Sequence, residues 1–221
     1  MSQPAIIFDL DGTLIDSAPA IHAVSNLELG ARGLPLLPLE QVRSYVGRGT
    51  SHLVGCLLEA SGHAPDGPLH AEVHESFLSR YAHQLEGNTL YPRALDALHA
   101  LKEAGHRLGL CTNKPLAPTR AVLDHLGIAP LFSSVIAGDS LATRKPNPEM
   151  LHESIRQLGG GRAIYVGDSE VDAETAKNAG TPFALYTEGY RKTDVHALYH
   201  DVAFSNFAML PGIVSRWHWH E

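Results

Sequence analysis

The chain has 221 residues, of which 44% are hydrophobic and 19% are charged, and its formal net charge is −7 with histidine neutral. This length and composition are typical of one globular domain, with or without a smaller insert. The negative charge argues against a nucleic-acid-binding protein and against a surface that docks on anionic lipid. No segment has the roughly twenty continuous apolar residues that cross a bilayer, and the first residues lack the features of a signal peptide.

The two cysteines, Cys56 and Cys111, fit a reducing compartment better than a disulfide framework. Cys111 lies in an apolar run, which predicts a buried strand residue rather than a reactive thiol. We therefore expect a cytoplasmic protein with no nucleic-acid partner and no membrane partner.

Short apolar runs along the chain predict buried strands, because each run is closed by polar or glycine-rich residues and followed by a helical pattern. Continuous apolar strands that alternate with helices are typical of a parallel sheet covered on both faces. The predicted fold class is therefore α/β, with a doubly wound, Rossmann-like sheet. The predicted strands are 5–8, 108–111, 134–137, 163–166 and 183–186, and the helices between them are 92–104, 118–126, 148–158 and 171–179.

One stretch interrupts this alternation. From about residue 16 to about residue 84 there are helical patterns at 21–29, 39–46, 51–60 and 69–82, and no convincing buried strand. The gap is too long for a single crossover helix, so we predict a helical domain at 16–84, inserted into a core made of 1–15 and 85–221. The insert contains no lysine.

The tail, residues 216–221, alternates aromatic residues with histidines. We expect a short terminal strand or a frayed end there, since chain termini are commonly poorly ordered. A metal site is the less favoured alternative.

Ligands of an open parallel sheet bind at the carboxyl ends of its strands. The polar residues that follow the predicted strands are carboxylates, a hydroxyl–amide pair and one lysine: Asp9, Asp11, Thr112, Asn113, Lys145, Asp168 and Asp172. Because strand ends of a parallel sheet share one edge, we expect these side chains to converge. Each short motif alone is more often a turn or a helix cap, but their occurrence in order favours one functional site.

The carboxylates predict a magnesium site. Asp9 and Asp11 are two residues apart and point the same way on an extended segment, while Asp168 and Asp172 are one helical turn apart. Crowded carboxylates repel unless a cation lies among them or one is protonated. Mg²⁺ suits such a site because it takes few protein carboxylates and completes its shell with water and phosphate oxygens.

The remaining polar residues suit an anionic substrate. Thr112 and Asn113 offer a hydroxyl and an amide to a phosphoryl oxygen. Lys145 supplies positive charge to oxygens on which negative charge develops.

Residues 9–17, DLDGTLIDS, resemble the signature of the haloacid dehalogenase superfamily of phosphatases. Residues 112–113, 145–146 and 167–172 resemble its second, third and fourth motifs. The similarity covers essentially the whole chain, and the insert corresponds to the helical cap of these enzymes. Within the superfamily, several stretches resemble bacterial phosphoglycolate phosphatases: 45–49, 90–92, 112–115, 144–148 and 186–190.

The resemblance implies phosphoryl transfer in two steps with Mg²⁺. It makes Asp9 the nucleophile that becomes phosphorylated, and Asp11 the acid that protonates the leaving alcohol and later deprotonates the attacking water. The implied metal ligands are the Asp9 carboxylate, the Asp11 backbone carbonyl and Asp168, with Asp172 orienting Asp168 or a metal-bound water.

The resemblance also implies that Thr112 and Lys145 hold the phosphoryl group, with Asn113 beside them in the catalytic set. It implies that Gly12 and Thr13 bind the substrate.

The expected function is Mg²⁺-dependent hydrolysis of a small phosphorylated metabolite by a monomer or homodimer, with phosphoglycolate as the first candidate substrate. Arg48, between Gly47 and Gly49, lies on a loop that in similar caps projects into the active site, where a guanidinium could clamp a carboxylate. The equal alternative is a solvated arginine in a turn.

Other functions stay open. Sugar-phosphate phosphatases belong to the same superfamily, and its phosphomutases carry a cap histidine at a position that aligns with Ile21, one residue before His22. A non-catalytic regulator that binds Mg²⁺ or a phosphorylated metabolite is the alternative from another class, although no catalytic position is missing.

Overall fold

The computed structural model of the chain describes residues 3–219. Its strands, in chain order, are β1 (Ala5–Phe8), β2 (Ile15–Asp16), β3 (Thr89–Leu90), β4 (Leu108–Cys111), β5 (Phe132–Ile136), β6 (Ala163–Gly167), β7 (Phe183–Tyr186) and β8 (Val202–Phe204). Its helices are α1 (Ala18–Gly30), α2 (Leu39–Arg43), α3 (Thr50–Ala60), α4 (Pro68–Tyr81), α5 (Ala94–Glu103), α6 (Leu116–His125), α7 (Glu149–Gln157), α8 (Glu170–Ala179) and α9 (Leu210–Ser215).

A six-stranded parallel sheet forms the centre of the molecule, in the order β5-β4-β1-β6-β7-β8. β1 lies between β4 and β6, with Ile6 opposite both Leu108 and Ile164. The chain moves outward from β1 first to one side and then to the other. The carboxyl ends of β1, β4 and β6 are therefore the switch point at which such sheets bind ligands.

The sheet is covered on both faces, because successive side chains of a strand point to opposite sides. Ile6 and Phe8 pack against one helical layer, which contains α5, α6 and α9. Ala5 and Ile7 pack against the other layer, which contains α7 and α8. The predicted doubly wound α/β fold is confirmed.

The predicted core helices are present, with ends that differ by one or two residues. Gly105, Gly127 and Gly180 follow three of them, with φ angles of 86°, 68° and 60°. This left-handed conformation ends a helix and favours glycine.

The helices α1 to α4 lie between β2 and β3 and form a separate unit, which we call the cap. The cap has its own apolar cluster, whose fully buried members include Val24, Leu57 and Phe77. The predicted helical cap after the first strand is therefore confirmed, while the domain limits at 15/16 and 84/85 stay a prediction.

Several short elements were not predicted from the sequence. β2 and β3 form an antiparallel pair, with Ile15 opposite Leu90 and Asp16 opposite Thr89, at the two points where the chain passes between core and cap. Strands of two residues have no periodicity that a sequence pattern can reveal. β8 and α9 are also short, and the third predicted strand begins two residues earlier than expected, at Phe132.

The strand expected in the tail is not formed by residues 216–219, and His220 and Glu221 lie outside the described residues. Trp217 and Trp219 pack against the apolar layer that contains α9. Within residues 3–219, no helix combines the length and the apolar character needed to span a bilayer.

Candidate active site

Three acids meet at the carboxyl ends of β1 and β6. Asp9 directly follows β1, and its N–H donates to Val166 O on β6 at 2.9 Å, which continues the sheet by one residue. Asp168 follows β6, and Asp172 lies in the first turn of α8. One carboxylate oxygen from each acid lies within 4.8 Å of the others, and all three residues are buried. Such a group could hold a divalent cation.

Lys145 reaches this group from the loop after β5. Its Nζ donates to Asp172 Oδ1 at 2.7 Å and to the Tyr165 hydroxyl at 2.9 Å. It also lies 2.9 Å from Asp9 Oδ1, in an ion pair that lacks hydrogen-bond geometry. Lys145 is therefore a buried cation shared by two acids.

Burial and crowding change the proton affinity of these acids in different directions. Burial raises the pKa of Asp9 to about 7, with Lys145 opposing the rise and Asp172 adding to it. Burial and the charges of Asp172 and Asp9 raise the pKa of Asp168 well above its usual range. Burial would raise the pKa of Asp172 too, but Lys145 and hydrogen bonds from Ser169 and Tyr165 bring it below its usual value. The group therefore favours an added cation.

The loops after β1 and β7 hold Asp168 in place. The Thr13 hydroxyl donates to Asp168 Oδ1 at 2.6 Å, and the Tyr190 N–H donates to Asp168 Oδ2 at 2.6 Å. Gly12 has a φ of 87°, and a Cβ added there would lie 2.5 Å from Asp168 Oδ2. The structure thus turns Gly12 and Thr13 toward Asp168.

Gly12 and Thr13 also use their backbone donors within the loop. The Gly12 N–H donates to Ile15 O at 2.8 Å, and the Thr13 N–H donates to Leu10 O at 3.3 Å. Thr13 is fully buried. The expected role of Gly12 and Thr13 in binding the substrate stays a prediction.

Asp172 is oriented by the start of α8. Its Oδ2 accepts from the Ser169 N–H at 3.1 Å, and its own N–H donates to the Ser169 hydroxyl oxygen at 3.4 Å, which is the capping-box arrangement. The Ser169 hydroxyl also donates to Asp172 Oδ2, at 2.6 Å. Asp172 Oδ1 accepts from the Tyr165 hydroxyl at 2.7 Å and from Lys145. Because Asp172, unlike Asp168, already accepts a hydrogen bond from a cation, the Lys145 ammonium, it suits the orienting role better than direct ligation.

Asp11 points away from the three acids, toward the cap. Its Oδ1 accepts from Lys114 Nζ at 3.0 Å, and Lys114 also contacts the Tyr81 hydroxyl at the end of α4. The side chains of Lys114 and Asp11 are 2% and 11% exposed. Asp11 therefore lies in a buried ion pair at the boundary between core and cap.

The residues after β4 form one wall of the site. The Asn113 amide donates to Lys145 O and to Gly47 O of the cap, both at 3.0 Å, and its Oδ1 accepts from the Lys145 N–H at 3.0 Å. The amide that we expected on a phosphoryl oxygen is thus engaged by backbone groups, so Asn113 positions Lys145 and joins the cap to the core. The Thr112 side chain lines the cavity and has one protein hydrogen bond, from the Lys114 N–H at 3.3 Å.

A cavity of about 30 Å³ separates the core from the cap. The core side contributes Asp9, Asp11, Thr112, Asn113 and Lys114, and the cap side includes Ile21, Val46, Leu53 and Tyr81.

Two residues singled out in the sequence lie away from this cavity. Arg48 is exposed, and only its neighbours Gly47 and Gly49 line the cavity. The His22 ring contacts Leu37 O and Asn26, both in the cap, at 2.9 Å, while Ile21 faces the site.

Four residues of the site were not predicted from the sequence: Tyr81, Lys114, Tyr165 and Tyr190. Lys114 and Tyr190 stand in stretches that carried the family resemblance, which is the one signal that could have marked them. Tyr165 was hidden inside an apolar strand, and Tyr81 at the end of a cap helix.

Comparison with known proteins agrees with this geometry. The family model of haloacid dehalogenase-like hydrolases matches residues 4–180. The chain belongs to this family. It is 56% identical over 216 residues to a phosphoglycolate phosphatase of Rhodobacter capsulatus, an alignment that covers 98% of this chain and 99% of the relative. It is 43% identical to a phosphoglycolate phosphatase of Cereibacter sphaeroides strain ATCC 17025, over 96% and 98% of the two chains.

A solved structure shows the same fold. The crystal structure of a predicted phosphoglycolate phosphatase from Haemophilus somnus 129pt superposes with a TM-score of 0.89 at 28% identity, and covers 96% of this chain and 98% of that one. This member of the haloacid dehalogenase-like hydrolases is an enzyme, a phosphatase, and its substrate is a small phosphorylated metabolite.

Proposed function

We propose that this phosphatase hydrolyses phosphoglycolate to glycolate and phosphate, with Mg²⁺ and through a phosphorylated Asp9. The observation that carries the proposal is the convergence of Asp9 and Lys145 with two further acids at the switch point of the sheet, with Asp11 lining the same cavity as Asp9. The high identity to relatives named phosphoglycolate phosphatase supports the substrate.

The acids fit a magnesium ion. Asp9 Oδ1 is buried and has an ion-pair contact but no hydrogen bond, so it has capacity for a cation. Burial, together with the charges of the neighbouring acids, raises the pKa values of Asp9 and Asp168, so a bound cation would stabilise their ionised forms. An all-oxygen donor set suits a hard ion. Asp9 and Asp168 would hold the ion with the Asp11 carbonyl, and Asp172 would orient them. When bound, the ion shields the charges of nucleophile and phosphate from each other.

The chain's own residues account for the two steps. The Asp9 carboxylate attacks phosphorus, the ester P–O bond breaks, and Asp11 gives its proton to the leaving oxygen. Asp11 then takes a proton from water, the water oxygen attacks phosphorus, and the Asp9–phosphorus bond breaks. Lys145 neutralises charge on the phosphoryl oxygens as it develops.

The backbone adds donors for the phosphoryl group. The N–H groups of Leu10 and Asp11 donate to no acceptor within residues 3–219. They stand directly after Asp9, so they are suited to the oxygens of a phosphoryl group bound there.

The cavity supports a small substrate. Its volume is about 30 Å³ and its cap side is largely apolar, which favours a compact ester, and movement of the cap would admit it. The phosphomutase alternative is disfavoured, because the cap position that carries the mutase histidine is Ile21 here, and the His22 ring binds within the cap.

Phosphate release tests the proposal. We expect turnover of phosphoglycolate that requires Mg²⁺, stops with a chelator and exceeds turnover of sugar phosphates, nucleotides and an aryl phosphate. Asp9→Asn should lose activity by at least about 10³-fold, since it removes the nucleophile, while the exposed Asp66→Asn should match wild type.

Preference for another ester would overturn the assignment of phosphoglycolate as the substrate but would leave the proposed mechanism intact. If Asp9→Asn retained activity, the assignment of the nucleophile would be wrong. Mg²⁺ binding without turnover of any ester would favour the alternative function, a non-catalytic regulator that binds Mg²⁺ or a phosphorylated metabolite.

A further inference from the structure

The cavity contains a buried cation for which the proposed reaction has no task. Lys145 is committed to Asp9 and Asp172, at 2.9 and 2.7 Å. Among residues 3–219, Lys114 is the one basic residue that lines the cavity. Even a paired ammonium loses its hydration when it is buried, so we looked for a role of Lys114 beyond its ion pair with Asp11.

The contacts of Lys114 leave part of its binding capacity free. Its Nζ donates to Asp11 Oδ1 at 3.0 Å and to the Tyr81 hydroxyl, and it lies 4.3 Å from the centre of the Tyr81 ring. An ammonium group has three N–H donors, and these two contacts use two of them. The third is available to a group inside the cavity, and the Tyr81 hydroxyl stands beside it.

The position of Lys114 relative to Asp11 indicates what that group is. In the proposed reaction Asp11 gives its proton to the ester oxygen, so the carbon chain of the leaving group begins next to Asp11. Lys114 Nζ lies 3.0 Å from the Asp11 carboxylate, on the cap side. In phosphoglycolate one methylene joins the ester oxygen to the carboxylate, so the carboxylate falls within reach of this ammonium.

The rest of the cap wall discriminates against larger polar leaving groups. It presents the apolar side chains of Ile21, Val46 and Leu53, and the Thr50 hydroxyl is already bonded to His74 at 2.9 Å. Sugar hydroxyls against this wall would lose their water without gaining partners, which is unfavourable.

We propose that Lys114, with the Tyr81 hydroxyl, binds the carboxylate of the substrate and so selects short phosphorylated carboxylic acids. The inference rests on the proposed function and deepens it. It moves the carboxylate contact from the exposed Arg48 to a buried lysine of the core. Because Tyr81 belongs to the cap, the same contact ties recognition of the leaving group to cap closure.

A comparison of two phosphate esters with carbon chains of equal length distinguishes carboxylate binding by Lys114 from a purely structural role. Ethyl phosphate has the two-carbon chain of phosphoglycolate but no carboxylate, so the ratio of kcat/KM for phosphoglycolate to that for ethyl phosphate measures recognition of the carboxylate. A hydrogen bond to a charged group is worth about 10- to 150-fold. Lys114→Met should therefore lower the ratio at least about 10-fold, mainly through KM, and Tyr81→Phe should lower it by a smaller factor. Lys177→Met, on the exposed face of α8, should keep the wild-type ratio.

If Lys114→Met is inactive, its recognition of the carboxylate can still be measured by substrate binding. In the Asp9→Asn background, calorimetry gives the Kd of intact phosphoglycolate and of ethyl phosphate with or without Lys114→Met. We expect Lys114→Met to raise the Kd of phosphoglycolate by a factor at least about 10 times larger than the factor by which it raises the Kd of ethyl phosphate.

Several outcomes would overturn the inference. An equal loss for both esters in Lys114→Met would mean that Lys114 only positions Asp11. A ratio that collapses in Arg48→Met but not in Lys114→Met would restore the exposed arginine as the clamp. Wild-type turnover of both esters at equal kcat/KM would refute carboxylate recognition and leave the phosphatase chemistry standing, whereas turnover of neither would refute the proposed function itself.

Discussion

At the scale of single residues, the protonation of Asp9 depends on what occupies the site. Burial raises its pKa to about 7, and burial also raises the pKa of Asp168. A protonated carboxyl ligates poorly, so metal binding has to displace protons. Because the pKa of Asp9 is higher in the folded state, its contribution to stability is full below about pH 4 and is lost as the pH rises to about 7.

We therefore expect the stabilisation by Mg²⁺ to grow with pH. At a fixed Mg²⁺ concentration the rise in Tm should be small at pH 5.5 and increase up to about pH 8, since affinity changes about tenfold per pH unit for each proton released. Thermal unfolding with Mg²⁺ and with a chelator measures it. Asp9→Asn should flatten the profile, and Asp66→Asn should leave it unchanged. An equal Tm gain at both pH values would contradict the cluster as the metal site.

The sequence predicted which acids converge but not what each neighbouring residue contacts. Asp9 and Asp168 could be predicted because parallel strand ends meet at one edge. The direction of Thr13 depends on the left-handed turn at Gly12, which points its hydroxyl at Asp168. The contact between Lys114 and Tyr81 joins residues from two units of the fold, so no local pattern contains it.

At the scale of elements, the loop after β7 links the acids to the start of the cap. The Tyr190 N–H donates to Asp168, while its hydroxyl donates to Asp16 Oδ1 at 2.7 Å. The same hydroxyl accepts from the N–H groups of Ser17 and Ala18, at 2.7 and 2.9 Å. These two donors at the beginning of α1 have no helical acceptor of their own, so Tyr190 completes the point where the chain enters the cap.

Removal of the Tyr190 hydroxyl should destabilise the start of the cap without changing the arrangement of Asp9, Asp168 and Asp172. Tyr190→Phe keeps the backbone bond to Asp168 but leaves the buried Ser17 N–H unpaired, which costs about 1–3 kcal/mol. The Ala18 N–H keeps a second acceptor, Asp16 Oδ1 at 3.2 Å. Urea unfolding should show this loss against Tyr199→Phe, an exposed tyrosine, while Mg²⁺ affinity stays within about threefold of wild type. If the two variants unfold alike, the hydroxyl does not secure the cap.

The elements that sequence patterns predicted well are those whose burial is continuous or periodic. β1 and β4 match to the residue because every side chain in them is buried. The pair β2–β3 escaped prediction because two residues carry no period, although its register determines where the cap is attached. Periodicity thus predicts the two units of the fold, whereas their junction depends on tertiary contacts.

At the scale of the whole molecule, the cap and the core are two packed bodies with separate apolar clusters. The contacts that close the cavity between them are polar: Lys114 with Tyr81, and Asn113 with Gly47 O. Polar contacts exchange readily with water, whereas the apolar interior of each unit does not. The cap should therefore move as a rigid unit about β2 and β3 when substrate enters.

Hydrogen exchange tests this rigid movement. With Mg²⁺ and beryllium fluoride, which mimics phosphorylated Asp9, peptides covering 44–50 and 81–90 should exchange more slowly, because closure protects the cap loop and the junction. A peptide within α3, at 53–60, should change little, since the apolar interior of the cap is the same in both states. Asp9→Asn should abolish the effect. Equal slowing throughout α3 and α4 would mean instead that the cap itself folds around the ligand.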